Sequence, residues 1–314
     1  MVATSTRRVL VPVITLVLGA TLSVVGVTPQ AGAAAAPCGN MTVAQTSYRH
    51  VLWIFMENHS YSDVIGSAEA PYMNNLASQC GLATNYHNIT HPSLPNYIAA
   101  TSGLALSNLS KFTSDCSPSP TCSTKAASIF SQAGSWRSYE DSMPTRCDMT
   151  NSGEYAVRHN PATYYTTLRG CSKRDVPYGR LSTDLANNQL PAFGFITPNL
   201  VHDTHDGTIA QGDKWLSNHV PAILDSEAYR TGSLVVFLTY DEGEHGSSSD
   251  CATNTTDVGC QVATIVMSES TPAGTQSGKL FNHYSLLRTT EQLLNLPFLR
   301  QAKTANGMRK AFGL

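Results

Sequence analysis

Three short polar segments stand directly behind apolar runs in this chain. Glu57-Asn58 follows the run 50–56, Asp203-Thr204-His205-Asp206 comes a few residues after 192–197, and Asp241-Glu242-Gly243 follows 234–240. Carboxylates at the ends of buried strands are costly unless they are paired or bound to a cation. Their convergence would make a metal centre, with Glu57, Asn58, Asp241 and Glu242 as an oxygen-rich ligand set. Taken singly, Glu57-Asn58 and Asp241-Glu242-Gly243 read equally well as strand-end turns. The segment 202–206 is denser, packing two imidazoles and two carboxylates into five residues. That density suits coordination or acid–base work, although a polar loop satisfying its own backbone also fits. A nucleophile is available at Ser93, just ahead of a helical pattern whose free N–H groups would face an incoming phosphate. The plain alternative is that Ser93 only caps that helix.

The elements that must position these groups are legible from periodicity and punctuation. The run HVLWIFM at 50–56 is short, apolar and rich in β-formers, as expected of a strand buried on both faces. Residues 71–80 read as a helix with Pro71 in its first turn and Gly81 after it, and 93–103 as a second helix closed by Gly103. After a stretch rich in Ser, Thr, Asn, Pro and Cys, alternation resumes: strand 192–197, helix 211–224, strand 234–240, strand 262–267 and helix 284–296. Strands alternating with helices predict an α/β fold with a mainly parallel sheet sandwiched between helices. The stretch of about 107–190, with a helical piece near 126–134 and a possible strand near 136–139, reads as a loop-rich insertion in a single domain spanning 37–314.

Composition narrows the function classes. With 41% hydrophobic residues among 314, the chain can bury a substantial core. Its formal charge is −2, and setting aside Arg7 and Arg8 brings this to about −4, which argues against a nucleic-acid binder. Arg7 and Arg8, the apolar run 9–27 and the small residues 31–36 match an export leader, so 1–36 is expected to be removed, leaving no stable membrane span. All eight cysteines lie beyond it, an even number without zinc-finger spacing, which predicts disulfides. The working pairing joins nearest neighbours: Cys38 with Cys80, Cys116 with Cys122, Cys147 with Cys171 and Cys251 with Cys260.

Four motifs in order then carry a resemblance: WIFMENHS at 53–60, THPSLPNY at 90–97, HDGTIAQGD at 205–213 and TYDEG at 239–243. Over about 48–297 the chain resembles the phosphoesterase family of secreted acid phosphatases and phospholipases C. Within it, the likeness is to actinobacterial secreted phosphatases acting on phosphatidylinositol 3-phosphate. The resemblance implies an alkaline-phosphatase-like fold, a phosphomonoester substrate that extends to a phosphoinositide, and a phosphoseryl mechanism in a secreted monomer. It makes Ser93 the nucleophile, with Thr90 as runner-up, and Glu57, Asn58, Asp241 and Glu242 the first metal set. Two-metal superfamily members have Asp-His where this chain has Asp241-Glu242, which puts a second metal in doubt; Asp203 and His283 are its candidate ligands. Mg²⁺, Ca²⁺ or Mn²⁺ suits the oxygen-rich set, whereas a His-containing site admits Zn²⁺. His205 is the candidate proton donor, and Asn96, Arg158, His159 and Asp206 are candidate substrate contacts. Two rivals stand beside this reading: a phospholipase C-type phosphodiesterase using the same nucleophile, and a noncatalytic exported protein whose acidic loops hold structural Ca²⁺.

Overall fold

The computed structural model describes residues 1–12, 36–42, 45, 48–244, 249–254 and 256–314. Most of the expected leader, residues 13–35, lies outside them. The chain divides into a unit of residues 1–34, whose described residues 1–12 hold no helix or strand, and a unit of residues 35–314 that holds every element below. Among the described residues no helix is long and apolar enough to cross a membrane.

Among the described residues the strands are β1 (His50–Met56), β2 (Gly81–Ala83), β3 (Tyr86–His87), β4 (Trp136–Glu140), β5 (Asp175–Pro177), β6 (Phe193–Thr197), β7 (Leu234–Tyr240), β8 (Thr264–Met267), β9 (Thr275–Ser277) and β10 (Phe281–Asn282). Eight form one sheet in the order β5-β4-β6-β1-β7-β8-β2-β9, and β3 pairs with β10 in a small ribbon. From β5 to β7 every pairing is parallel. β8 then runs antiparallel to both β7 and β2. Strands buried on both faces must be apolar throughout, and β1 and β7 are buried at every position. Trp53 anchors the centre: it pairs in register with Phe195 and Phe237, and its indole donates to Thr290 Oγ1 at 2.9 Å.

Helices flank the sheet in packed pairs, Ser93–Ser102 with His283–Leu293 and Pro71–Gln79 with Ile209–Leu224. Gly103 ends the Ser93 helix in the left-handed region at φ 68°, where a Cβ would also lie 2.9 Å from the Leu299 carbonyl. The loop-rich segment 107–190 is stapled by two bridges, Cys116–Cys122 and Cys147–Cys171, and Cys38–Cys80 and Cys251–Cys260 complete the expected pairing. That segment is less separate than an insertion suggests, because its strands β4 and β5 extend the main sheet beyond β6.

The consequence for chemistry lies in the order β6-β1-β7. Three adjacent parallel strands end together, so the residues after Thr197, Met56 and Tyr240 meet at one edge of the sheet, where α/β folds gather their functional loops.

Candidate active site

Glu57, the first residue beyond β1, is fully buried. Its backbone is pinned from both sides: its N–H donates to the Asp203 carbonyl at 2.8 Å, and its carbonyl accepts from Thr204 Oγ1 at 2.8 Å. Asn58 then turns the chain with φ 53°, a left-handed conformation that asparagine tolerates. Its N–H donates to Asp241 Oδ1 at 3.2 Å, while Asp241 N–H donates to the Met56 carbonyl at 2.9 Å. The ends of β1 and β7 thus lock each other.

Ser93 opens its helix as the first helical residue; Pro92 holds the cap position and the serine side chain caps nothing. The hydroxyl instead lies 3.0 Å from Glu57 Oε2, 3.3 Å from Glu242 Oε1 and 3.5 Å from Asn58 Oδ1. One turn on, Tyr97 donates from its phenol to Glu57 Oε1, as the i, i+4 spacing on one helix face allows. The expected cradle of free N–H groups is partly filled. Leu94 N–H donates to Asp115 Oδ1 at 2.9 Å, and Pro95 has no N–H.

The four sequence-predicted carboxylates come together, and each has its pKa raised. For Glu57 the cause is burial, then repulsion from Asp241 and Asp203; for Asp241 it is burial, then Glu242. Asp203 and Glu242 are raised chiefly by burial, opposed for Glu242 by the His91 imidazole 2.6 Å from its Oε2. Asp241 Oδ2 is buried with no hydrogen-bond partner. Costs of this kind are met in proteins by a proton or a cation, so an uncompensated carboxylate oxygen beside crowded Glu57, Asn58 and Glu242 oxygens fits a cation ligand set.

His159, expected at the substrate, lies deeper. It is buried, with Nδ1 3.1 Å from Asp203 Oδ2 and Nε2 3.2 Å from Glu57 Oε1, and its ring stacks on Tyr97 at 5.6 Å. Burial lowers its pKa well below the usual value, helped by Arg158 and His205. His205 packs beside it with Nδ1 2.7 Å from Asp206 Oδ1, and accepts from Arg158 at Nε2 at 3.0 Å. Ligand atoms of Glu57, His159 and His205 lie within 4.8 Å of one another. Arg158 and His205 are half-buried, and Asp206 is exposed.

Three expectations need correction. His283 does not join Asp203: its Nε2 lies 2.6 Å from the Asp241 carbonyl and its Nδ1 3.0 Å from the Tyr86 hydroxyl, so both nitrogens are engaged behind the site. Burial holds its pKa down to about 4. Asn96 is engaged by backbone: its amide accepts from Ile89 and Thr90 N–H and donates to the Thr90 and Pro92 carbonyls, clamping the turn that leads into Ser93. Thr90 directs its hydroxyl at the Ser249 and His91 carbonyls. Conversely, Tyr97, His91 and Asp115 were not singled out from sequence. Tyr97 had a signal, four residues after Ser93, and His91 lay within the quoted motif; Asp115 arrives from a distant loop and had none.

Comparison with known proteins gives the family and the fold. Residues 66–297 match the Phosphoesterase family. The phosphatidylinositol-3-phosphatase of Mycobacterium tuberculosis is 30% identical over 95% of this chain and 92% of its own length. The acid phosphatase of Aspergillus fumigatus is 27% identical over 82% of this chain, which spans 57% of that protein. Among solved structures, a Vibrio parahaemolyticus protein of the alkaline phosphatase superfamily superposes with TM-score 0.57 at 10% identity, covering 84% of this chain and 71% of its own. The phosphonate monoester hydrolase of Agrobacterium radiobacter gives 0.54 at 13% identity, over 79% and 74%. With an alkaline-phosphatase-like fold and a family match over most of its length, this chain belongs to the Phosphoesterase family and is a phosphoric-ester hydrolase.

Proposed function

We propose that the chain is an exported, metal-dependent phosphomonoesterase that works through a phosphoseryl intermediate on Ser93. One observation carries the reading: the Ser93 hydroxyl lies within 3.5 Å of oxygens from Glu57, Asn58 and Glu242. A hydroxyl has a single proton to donate, so with Glu57 and Glu242 ionised it can satisfy only one of the three oxygens, and a shared cation would relieve the others. Glu57, Asn58, Asp241 and Glu242 would hold that cation, of the Mg²⁺, Ca²⁺ or Mn²⁺ class, which lowers the serine pKa and offsets charge on the phosphoryl group.

The chain's own groups supply the rest. Ser93, ionised with its proton lost to solvent, attacks phosphorus through Oγ in line with the leaving alcohol. Arg158, moving from His205 onto the equatorial oxygens, would free Nε2 of His205 to take up a proton from solvent and pass it to the leaving oxygen as the ester bond breaks. Water then cleaves the phosphoserine. His159 lies between Glu57 and Asp203, and Tyr97 and His91 orient Glu57 and Glu242. The name of the mycobacterial relative makes a phosphoinositide the first substrate to try. Export is supported by the leader-like residues and the disulfides.

The test is turnover of 4-nitrophenyl phosphate against its bis ester and phosphatidylcholine, with and without chelator, for wild type and Ser93→Ala. Expected are monoester hydrolysis, loss in chelator, and no turnover by a folded Ser93→Ala. Preference for the bis ester would turn the reading to a phosphodiesterase, full activity with a metal-free site would remove the cation, and an active Ser93→Ala would remove the nucleophile.

A further inference from the structure

We propose that the stapled segment 107–190 carries a second site, separate from Ser93, that seats an anionic phospholipid at a membrane surface. The site is a groove of about 770 Å³ between the Cys116–Cys122 loop and the stretch that follows His159. Lys111 and Lys125 line it together with Met149, Tyr165 and Leu168, and none of its lining residues is a carboxylate. Lys111 anchors on the Ser123 carbonyl, which fixes one ammonium at the groove wall while leaving it further protons to donate.

Charge favours an anion here although the chain as a whole is acidic. Every carboxylate of the segment is engaged within the protein. Glu140, Asp175 and Asp184 are buried, and Asp184 pairs with Arg137 and Arg180. Asp115 accepts from Leu94 N–H, Asp141 lies on His202, Asp148 holds its own turn through Thr145 and Thr150, and Glu154 accepts from Asn199. Arg146, Arg169 and Lys173 are exposed. The segment carries nine lysines and arginines against seven carboxylates, a formal charge of +2, which concentrates anions against it.

The apolar half of the lining selects an amphiphile over a bare anion. Met149 is 47% exposed and, among the described residues beyond 1–12, shares exposure among the large hydrophobics only with Val258. An unbranched, exposed methionine beside Leu168 gives an acyl chain a surface that inorganic phosphate would not use. The two walls of the groove also lead into the catalytic site. One contains Asp115 at the start of the Ser93 helix, the other begins at Arg158 and His159, and Thr124 N–H to the Tyr164 carbonyl at 2.8 Å ties them together. A lipid held there would keep the catalytic edge at the membrane.

The experiment is co-sedimentation with phosphatidylcholine vesicles, with and without phosphatidylglycerol, in chelator at low salt so that turnover plays no part. Wild type is expected to bind only the anionic vesicles. Lys111→Gln with Lys125→Gln should weaken that binding roughly 25-fold, at about fivefold for each basic group near an anionic surface. Met149→Asp should weaken it too, and both variants should hydrolyse 4-nitrophenyl phosphate as wild type does. Ser93→Ala should bind vesicles undiminished, whatever becomes of its catalytic assignment. Failure of wild type to bind, or equal binding by the lysine variant, would overturn the proposal. So would release of wild type by inorganic phosphate at matched ionic strength, which would mark a soluble-anion site, or loss of binding in Ser93→Ala, which would place the lipid in the catalytic centre.

Discussion

Replacing Asp175 by asparagine should make the protein more heat-resistant, and increasingly so as pH rises. Asp175 and Glu140 are buried on the edge strand β5 and its neighbour β4, with no lysine or arginine pair among the described residues. Asn160 donates to both Asp175 oxygens, at 3.0 and 2.9 Å, and Ser138 donates to Glu140 at 2.6 Å. Burial nonetheless dominates, pushing Asp175 up to about 7 and Glu140 well above its ordinary value. The folded protein therefore binds the Asp175 proton more tightly than the unfolded chain, whose aspartates titrate near pH ~3.9. The stabilisation is complete below that pH and is lost as pH rises through about 7. A separation of about 3 pH units at about 1.4 kcal/mol each gives roughly 4 kcal/mol across the window. In a body of this size that is roughly 8 °C in Tm. Asparagine keeps the shape and removes the proton. Calorimetry of wild type and Asp175→Asn from acid to mildly alkaline pH, disulfides intact, should show a gap in Tm that widens in the variant's favour with pH. A gap independent of pH, or one that closes as pH rises, would refute the argument.

Tyr97→Phe should leave the fold intact but weaken cation affinity by about 10- to 100-fold, as expected for an outer partner of a ligand, because Glu57 loses its buried phenol donor; activity titrated against free metal reads this, and an unmoved midpoint counts against it. The Cys251–Cys260 bridge closes a short loop, worth roughly 2 to 3 kcal/mol on the chain-entropy account. It also packs Cys251 Sγ 3.5 Å from the His91 ring that holds Glu242. Cys251→Ser with Cys260→Ser should therefore lose metal, by elemental analysis, under conditions where circular dichroism still shows a folded core; simultaneous loss of both would remove the link.

Much of the site was legible because the chemistry sits in sequence beside its scaffold. The bounds of β1 and β7 follow directly from their unbroken apolar runs, and the acids that terminate them are covalently next in line. The sequence likewise placed Ser93 at a helix start, but it could not tell a cap from a first helical residue, since the two differ by one position and by where the hydroxyl turns. Strands such as Asp175–Pro177 were invisible because a three-residue strand carrying Asp and Pro has no period to read. Its place is set by pairing with β4, not by local preference. The roles of His283 and Asn96 were misjudged for a related reason. A polar side chain near an active site has ligand chemistry in sequence, yet in space both serve neighbouring backbone. Asp115 reaches the Ser93 helix from a loop whose path depends on tertiary packing, so no local signal marks it.

What organises the catalytic edge is a charge that the protein leaves unbalanced. Glu57, Asp203, Asp241 and Glu242 are all buried, and among the described residues none forms an ion pair with lysine or arginine. Arg158, the nearest guanidinium by sequence motif, reaches His205 instead. The imidazole that does lie between Glu57 and Asp203, His159, has its pKa lowered by its own burial, which weakens it as a counter-charge to those carboxylates. A lysine at that position would satisfy the charge permanently and leave nothing for a ligand to complete. The edge instead holds its oxygens in place through hydrogen bonds from Tyr97, His91 and backbone, and the remaining charge must be met by protons or by a cation. Those two solutions compete for the same oxygens, and raised carboxyl pKa values mean that acid favours the first. The rigidity of the edge is then a condition for function: only oxygens that cannot move apart to relieve their repulsion keep a lasting demand for positive charge beside Ser93.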